Sequence, residues 1–288
     1  TEDKKAIISI RGTIADTGGL SFTPVAYLPI VKAVGKIKMS EGKWFEYKLA
    51  ELEGAGVHLG MLLSLGHISE ELVEQIDKQY KEGVRDFIIL GHSQGSAIAF
   101  LATSYIKYLQ KDKKLPEDFR LKTYCLAAPK TGNIQYAYDY EKITMGGWAM
   151  SINNVIDWVP FIGLSLQSAE DFPKVNPFRD MRGFLTSLGY KPGEKFDENM
   201  KKLTEAVPKL TEEFAKIIKE DVYPRVMKAM PGYEEPEIIK SGYFERSGIN
   251  IPMIPNAEYY KKFPNDPAKY QVWENHSVYP YYILVTTN

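Results

Sequence analysis

The chain has 288 residues, 44% hydrophobic and 25% charged, which is enough for one large globular domain with a sizeable core. Lys plus Arg number 36 against 37 for Asp plus Glu, a formal net charge of -1, so no basic excess marks nucleic acid or an anionic membrane as the partner. The single cysteine, Cys125, excludes an intramolecular disulfide framework, and four scattered histidines give no metal-ligand spacing.

In chain order, the opening TEDKKAIISIRGT lacks a basic region followed by an apolar one. It reads as a mature chain or one that never carried a signal, with a secreted or periplasmic mature chain favoured over a cytoplasmic one. AIISI (6–10) has the look of a buried strand. Residues 14–56 are apolar but broken by Gly and Pro, and stand apart from the regular alternation as an excursion. Ser69 can cap a helix whose Leu72, Val73, Ile76 and Tyr80 share one face and which stops at Gly83. FIIL (87–90) reads as a strand and residues 95–110 as a helix, with Ile98, Leu101, Ala102, Tyr105, Ile106 and Leu109 at helical spacing. The uncharged run 87–106 has membrane-span length, but a polar turn at His92, Ser93 and Gln94 rules out a span. KTYCLAA (122–128), WAMSIN (148–153) and YYILVTT (281–287) read as further strands. Residues 161–270 form a largely helical insertion, with an amphipathic stretch around Pro208. Strands alternating with helices predict an α/β fold with a mostly parallel central sheet flanked by helices.

Chemistry concentrates at GHSQG (91–95), the G-x-S-x-G pattern of a nucleophile elbow between a strand and a helix. Side chains at the two glycines would collide with neighbouring backbone, and Ser93 would sit in strained geometry with its hydroxyl exposed above the sheet. A serine hydroxyl needs a base, and the base needs an acid behind it. Chain order serine, acid, histidine leaves His276 as the base, since it alone of the four histidines follows Ser93. Asp157, directly after a strand and before Pro160, is the preferred acid, with Asp139 and Glu141 as alternatives. His92 is expected to point away from the substrate side, and His58 and His67 to be structural or pocket-lining.

Six pieces in order, ISIRGT (8–13), VHLGM (57–61), GHSQGS (91–96), APKTGN (128–133), NNVIDWVP (153–160) and NHSVYPY (275–281), resemble the class 3 lipases of the α/β-hydrolase fold. The resemblance implies the triad Ser93, Asp157, His276, in agreement with chain order, and an oxyanion hole from Thr13 and the backbone N–H of Gln94. It implies cleavage of acyl glycerides through an acyl-enzyme, with no cofactor and no metal, and a lipid or ester substrate met at a lipid–water interface. It also places a lid at residues 18–31, within the lid-like excursion 14–56; the helical insertion 161–270, which contains residues 199–230, reads as a second cap narrowing the entrance. A phospholipase A1, a short-chain or aryl esterase, and a catalytically silent lipid-binding module are the alternatives. Gln94 and Ser96 depart from the residues common at those positions, as does APKTGN, which bears on substrate preference.

Overall fold

The computed structural model describes residues 4–14, 23–264 and 271–287. Its strands are β1 (Lys5–Ile10), β2 (Ile30–Lys32), β3 (Val34–Ser40), β4 (Lys43–Lys48), β5 (Gly56–His58), β6 (Asp86–His92), β7 (Arg120–Leu126), β8 (Ala149–Asn154), β9 (Ser165–Leu166), β10 (Ile238–Ile239), β11 (Gly242–Tyr243) and β12 (Ile249–Met253). The α-helices are α1 (Thr23–Ala26), α2 (Leu59–Lys81), α3 (Gln94–Lys111), α4 (Ile134–Ile143), α5 (Met181–Ser187), α6 (Glu194–Ile217), α7 (Tyr223–Ala229), α8 (Ala257–Lys262) and α9 (Val278–Thr287).

The central sheet runs β1-β6-β7-β8-β12, and every pairing in it is parallel. One face carries Phe87, Ile89, Leu121, Thr123, Cys125 and Ala149, all buried. Against it lies α3, whose Ala97, Ala99 and Ala102 let the helix approach closely while Phe100, Leu101 and Ile106 fill the space between. Parallel strands joined by helices, with the switch to loops at the carboxyl ends, give an α/β-hydrolase-type fold and set the site above that edge.

The apolar runs read as strands at 6–10, 87–90, 122–128 and 148–153 are β1, β6, β7 and β8. The run 281–287 is instead helical. Its buried residues, Pro280, Tyr281, Ile283 and Leu284, fall on one helical face, whereas strand alternation would bury Val285, which is 56% exposed. The helix expected from Ser69 starts eleven residues earlier, capped by His58, whose Nδ1 accepts from the Met61 N–H at 3.4 Å. Gly60 does not break it: a Cβ there would stand 1.9 Å from the Pro24 carbonyl, so the glycine allows α1 to cross α2. Ser69 lies buried inside, its hydroxyl donating to the Gly66 carbonyl.

The two irregular regions also resolve. Of the segment 14–56, residues 15–22 lie outside the described residues, so the expected lid at 18–31 is only partly in view. Val25, Tyr27, Ile30 and Val31 are buried in the core, and β3 and β4 form a hairpin. The 161–270 insertion contains β12, which pairs with β8 as the fifth strand of the central sheet, so the excursion from the sheet runs from 155 to 248. No helix among the described residues is long and apolar enough to cross a membrane.

Candidate active site

Ser93 stands between β6 and α3 at φ 58 and ψ -132, a conformation that L residues rarely adopt. The flanking glycines make this turn feasible. A Cβ on Gly91 would lie 2.5 Å from the Gly95 carbonyl oxygen, and one on Gly95 would lie 2.2 Å from that of Ile10. Gly12, at the exit of β1, passes so close that a Cβ would meet the His92 carbonyl at 2.8 Å. The Leu126 carbonyl at the end of β7 accepts from the Ser93 N–H at 3.0 Å and from the Ser96 hydroxyl at 2.7 Å, which fixes the elbow to the sheet.

Asp157 follows β8 in a turn closed by its own N–H on the Asn154 carbonyl, 3.0 Å. It is fully buried, and a buried carboxylate needs donors. Three are in place. Oδ1 accepts from the Val159 N–H at 3.0 Å, and Oδ2 accepts from the Tyr281 hydroxyl and from His276 Nδ1, each at 2.8 Å. With the proton on Nδ1, His276 Nε2 is an acceptor, and Ser93 Oγ lies 2.8 Å from it. Three side chains spread over 183 positions therefore form one hydrogen-bonded line from hydroxyl to carboxylate.

The loop that carries His276 is held from below. Asn154 donates through its N–H to the Tyr281 hydroxyl at 3.0 Å and through Nδ2 to the Asn275 carbonyl at 3.2 Å and the Tyr259 hydroxyl at 3.1 Å. Tyr259 in turn donates to Asn275 Oδ1 at 2.7 Å. The Tyr281 phenol is held far above its ordinary range, first by burial and then by the Asp157 charge, so it stays a donor at any working pH.

His92 does not turn away from the site. Its Nε2 donates to the His276 carbonyl at 2.7 Å, its ring lies 4.8 Å from that of His276, and it lines the same cavity. Packing beneath the imidazole explains the difference: the loop returning from α8 lays His276 directly on β6. Burial lowers the His92 pKa, and the neighbouring His276 lowers it further.

Thr13 Oγ1 donates to Gln94 Oε1 at 2.9 Å, which links the two residues expected to flank an oxyanion. With the hydroxyl so engaged, the donors available there are backbone N–H groups at Thr13 and at Gln94, the first residue of α3, where helical bonding leaves N–H groups open. Above Ser93 opens a cavity of about 410 Å³, within the range of small-molecule sites. Val25, Trp158, Val159, Ile162 and Trp273 give it an apolar wall.

The alternative acids serve elsewhere. Asp139 accepts from the Glu51 and Leu52 N–H groups at 2.8 and 3.0 Å and from the Tyr108 hydroxyl, and Glu141 is exposed on α4. His58 is a buried helix cap and His67 is exposed on α2. Cys125 is buried within β7. No group of three His, Cys, Asp or Glu suited to a metal ion occurs among the described residues. Sequence reasoning missed Tyr281, His92 as a support for His276, and the Asn154–Tyr259–Asn275 bracket. The pieces GHSQGS, NNVIDWVP and NHSVYPY contain His92, Asn154, and Asn275 with Tyr281, but nothing in their spacing marks these residues as supports.

Comparison with protein families bears on the same residues. Residues 30–166 match the family Lipase (class 3). The matched segment takes in Ser93 and Asp157, while Thr13 and His276 lie on either side of it. Similar solved structures include a lipase from Rhizopus microsporus var. chinensis, 23% identical over 55% of this chain and 47% of that one, with TM-score 0.37. Lipase II from Rhizopus niveus is 27% identical over 41% of this chain and 42% of that one, TM-score 0.33. A triacylglycerol lipase from Penicillium expansum is 18% identical over 57% and 54%, TM-score 0.37. The chain spans about half the length of these structures. No curated protein matches it.

Proposed function

We infer that the protein is a serine carboxylester hydrolase of lipase type, cleaving acyl esters of glycerides through an acyl-enzyme. The observation that carries this reading is the line Ser93 Oγ, His276 Nε2, His276 Nδ1, Asp157 Oδ2, with both hydrogen-bond distances at 2.8 Å. His276 takes the Ser93 proton as Oγ attacks the ester carbonyl, and the imidazolium so formed is stabilised by the buried Asp157 carboxylate. The N–H groups of Gln94 and Thr13 face the developing oxyanion, and each such donor typically stabilises it by about 2.7 to 4 kcal/mol. The protonated His276 then hands its proton to the departing alkoxide, leaving acyl-Ser93. Water attacks by the same route with His276 as base, releasing the carboxylic acid.

The apolar wall of the cavity, formed by Val25, Trp158, Val159, Ile162 and Trp273, supports acyl-chain binding. The residues match a class 3 lipase family model across Ser93 and Asp157, which supports the same assignment. Turnover of p-nitrophenyl esters and of glyceride emulsions by the native chain and by Ser93→Ala tests it. The native chain is expected to hydrolyse both and Ser93→Ala to lose at least about 10³-fold in kcat. Equal rates for the two proteins would remove Ser93 from the mechanism, and an inert native chain would leave a lipid-binding module.

A further inference from the structure

A second cavity lies away from Ser93, between α6 and the short strands β9, β10 and β11. It measures about 400 Å³ and shares no lining residue with the first. Leu28, Leu164, Leu166, Phe214, Ile239 and Phe244 make its interior apolar. Lys216, Lys219 and Lys240 line it as well, all three exposed and none ion-paired among the described residues. Glu212 and Glu235 also reach it, but Glu235 already accepts the Tyr27 hydroxyl.

The helix that roofs this space has no core of its own. In α6, 24 residues long, none is buried, and Leu203, Leu210 and Ile217 are more than half exposed. Phe214, on the same helix, lines the cavity and is only partly buried against the main core. An apolar occupant would add to the sparse packing of α6, and a cationic rim of long, snorkelling side chains favours an occupant with an anionic end.

We propose that this cavity is a binding site for one long-chain fatty acid, its tail under α6 and its carboxylate at the Lys216, Lys219 and Lys240 rim. The apolar interior and cationic rim define an anionic amphiphile. Choosing a fatty acid within that class rests on the proposed ester hydrolysis, which releases one. The site is separate from the reacting serine, so bound product would stiffen α6 without occupying the Ser93 cavity.

The test uses the full chain as Ser93→Ala, which removes turnover, and hexadecanoate carrying a tail diazirine as the probe. After photolysis, adducts are expected on peptides covering 211–219 and 238–244. By calorimetry the combined substitution Lys216→Glu, Lys219→Glu and Lys240→Glu is expected to weaken hexadecanoate at least tenfold, and hexadecanol is expected to bind at least tenfold more weakly than hexadecanoate. The three lysines are exposed, so this variant retains the fold; Leu166→Trp, which fills the interior, should also lower affinity tenfold. Adducts confined to the lining of the Ser93 cavity, or equal binding of acid and alcohol, would overturn the proposal. Binding is read without catalysis, so failure of ester hydrolysis in the native chain would retire the reaction while the adduct map still judges the cavity.

Discussion

Helices α3 and α6 are both amphipathic, yet 14 of the 18 residues of α3 are buried and none of the 24 in α6 is. The first is clamped between a five-stranded sheet and α2, and its N-terminus presents Ser93. The second contains Pro208 in its interior, runs into a π-helical turn at Ile218–Val222, and covers a cavity instead of a core. The contrast separates two kinds of requirement. Holding an oxygen, an imidazole and a carboxylate in line needs every neighbour fixed, whereas a cover over a cavity can be held by a few contacts at its end, here Ile218 and Val226.

Substitutions on the two sides of that contrast should differ steeply in effect. Asp157→Asn leaves the turn and its packing intact but favours the wrong imidazole tautomer, and kcat should fall by about 10⁴-fold with the far-ultraviolet circular dichroism unchanged. A loss below tenfold would mean that the buried carboxylate does not orient His276.

The buried cap of α2 adds a pH signature. Burial pulls the His58 pKa from 6.5 down to about 4. Above pH 6.5 the imidazole is neutral in both folded and unfolded chains and contributes no pH dependence. Between 6.5 and 4 the unfolded chain binds a proton that the folded chain excludes, so stability drops with pH, by about 3 kcal/mol over the window, and falls no further below it. Urea unfolding at pH 7 and pH 4.5 should show this slope, and His58→Asn, which keeps a cap acceptor without titrating, should flatten it.

Tyr281→Phe removes one of three donors to Asp157 while conserving the packing of α9. A hydrogen bond to a charged group contributes about 1.5 to 3 kcal/mol, so thermal unfolding should occur several degrees lower and kcat/KM should fall roughly tenfold or more. Leu203→Ser on the exposed side of α6 sits at the other extreme and should change stability by less than about 0.5 kcal/mol. A large loss there would mean that α6 packs more tightly than its exposure indicates.

Legibility in the sequence follows the same division. Buried parallel strands are short apolar runs, so β1, β6, β7 and β8 could be read directly, and the tight strand-turn-helix at Ser93 needs glycines that mark it. Ser93, Asp157 and His276 could be chosen from chain order because only one histidine follows the serine. The last helix was misread because Tyr281, Ile283 and Val285 alternate as a strand would, and only packing against Tyr259 and Ile156 decides which of them is buried. The start of α2 was obscured by glycines whose purpose, a crossing with α1, exists only in three dimensions. β12 was lost inside a polar region because an edge strand of five residues, INIPM, is half exposed and carries a proline. The donors to Asp157 come from residues 159, 276 and 281, a convergence that no local spacing encodes.

The most direct test of the central claim is covalent labelling with a fluorophosphonate, read by peptide mass spectrometry. A single adduct on Ser93 is expected, abolished in Ser93→Ala and formed at least a hundredfold more slowly in Asp157→Asn. An adduct on a different residue, or labelling of Ser93 at the native rate when Asp157 is replaced, would contradict it.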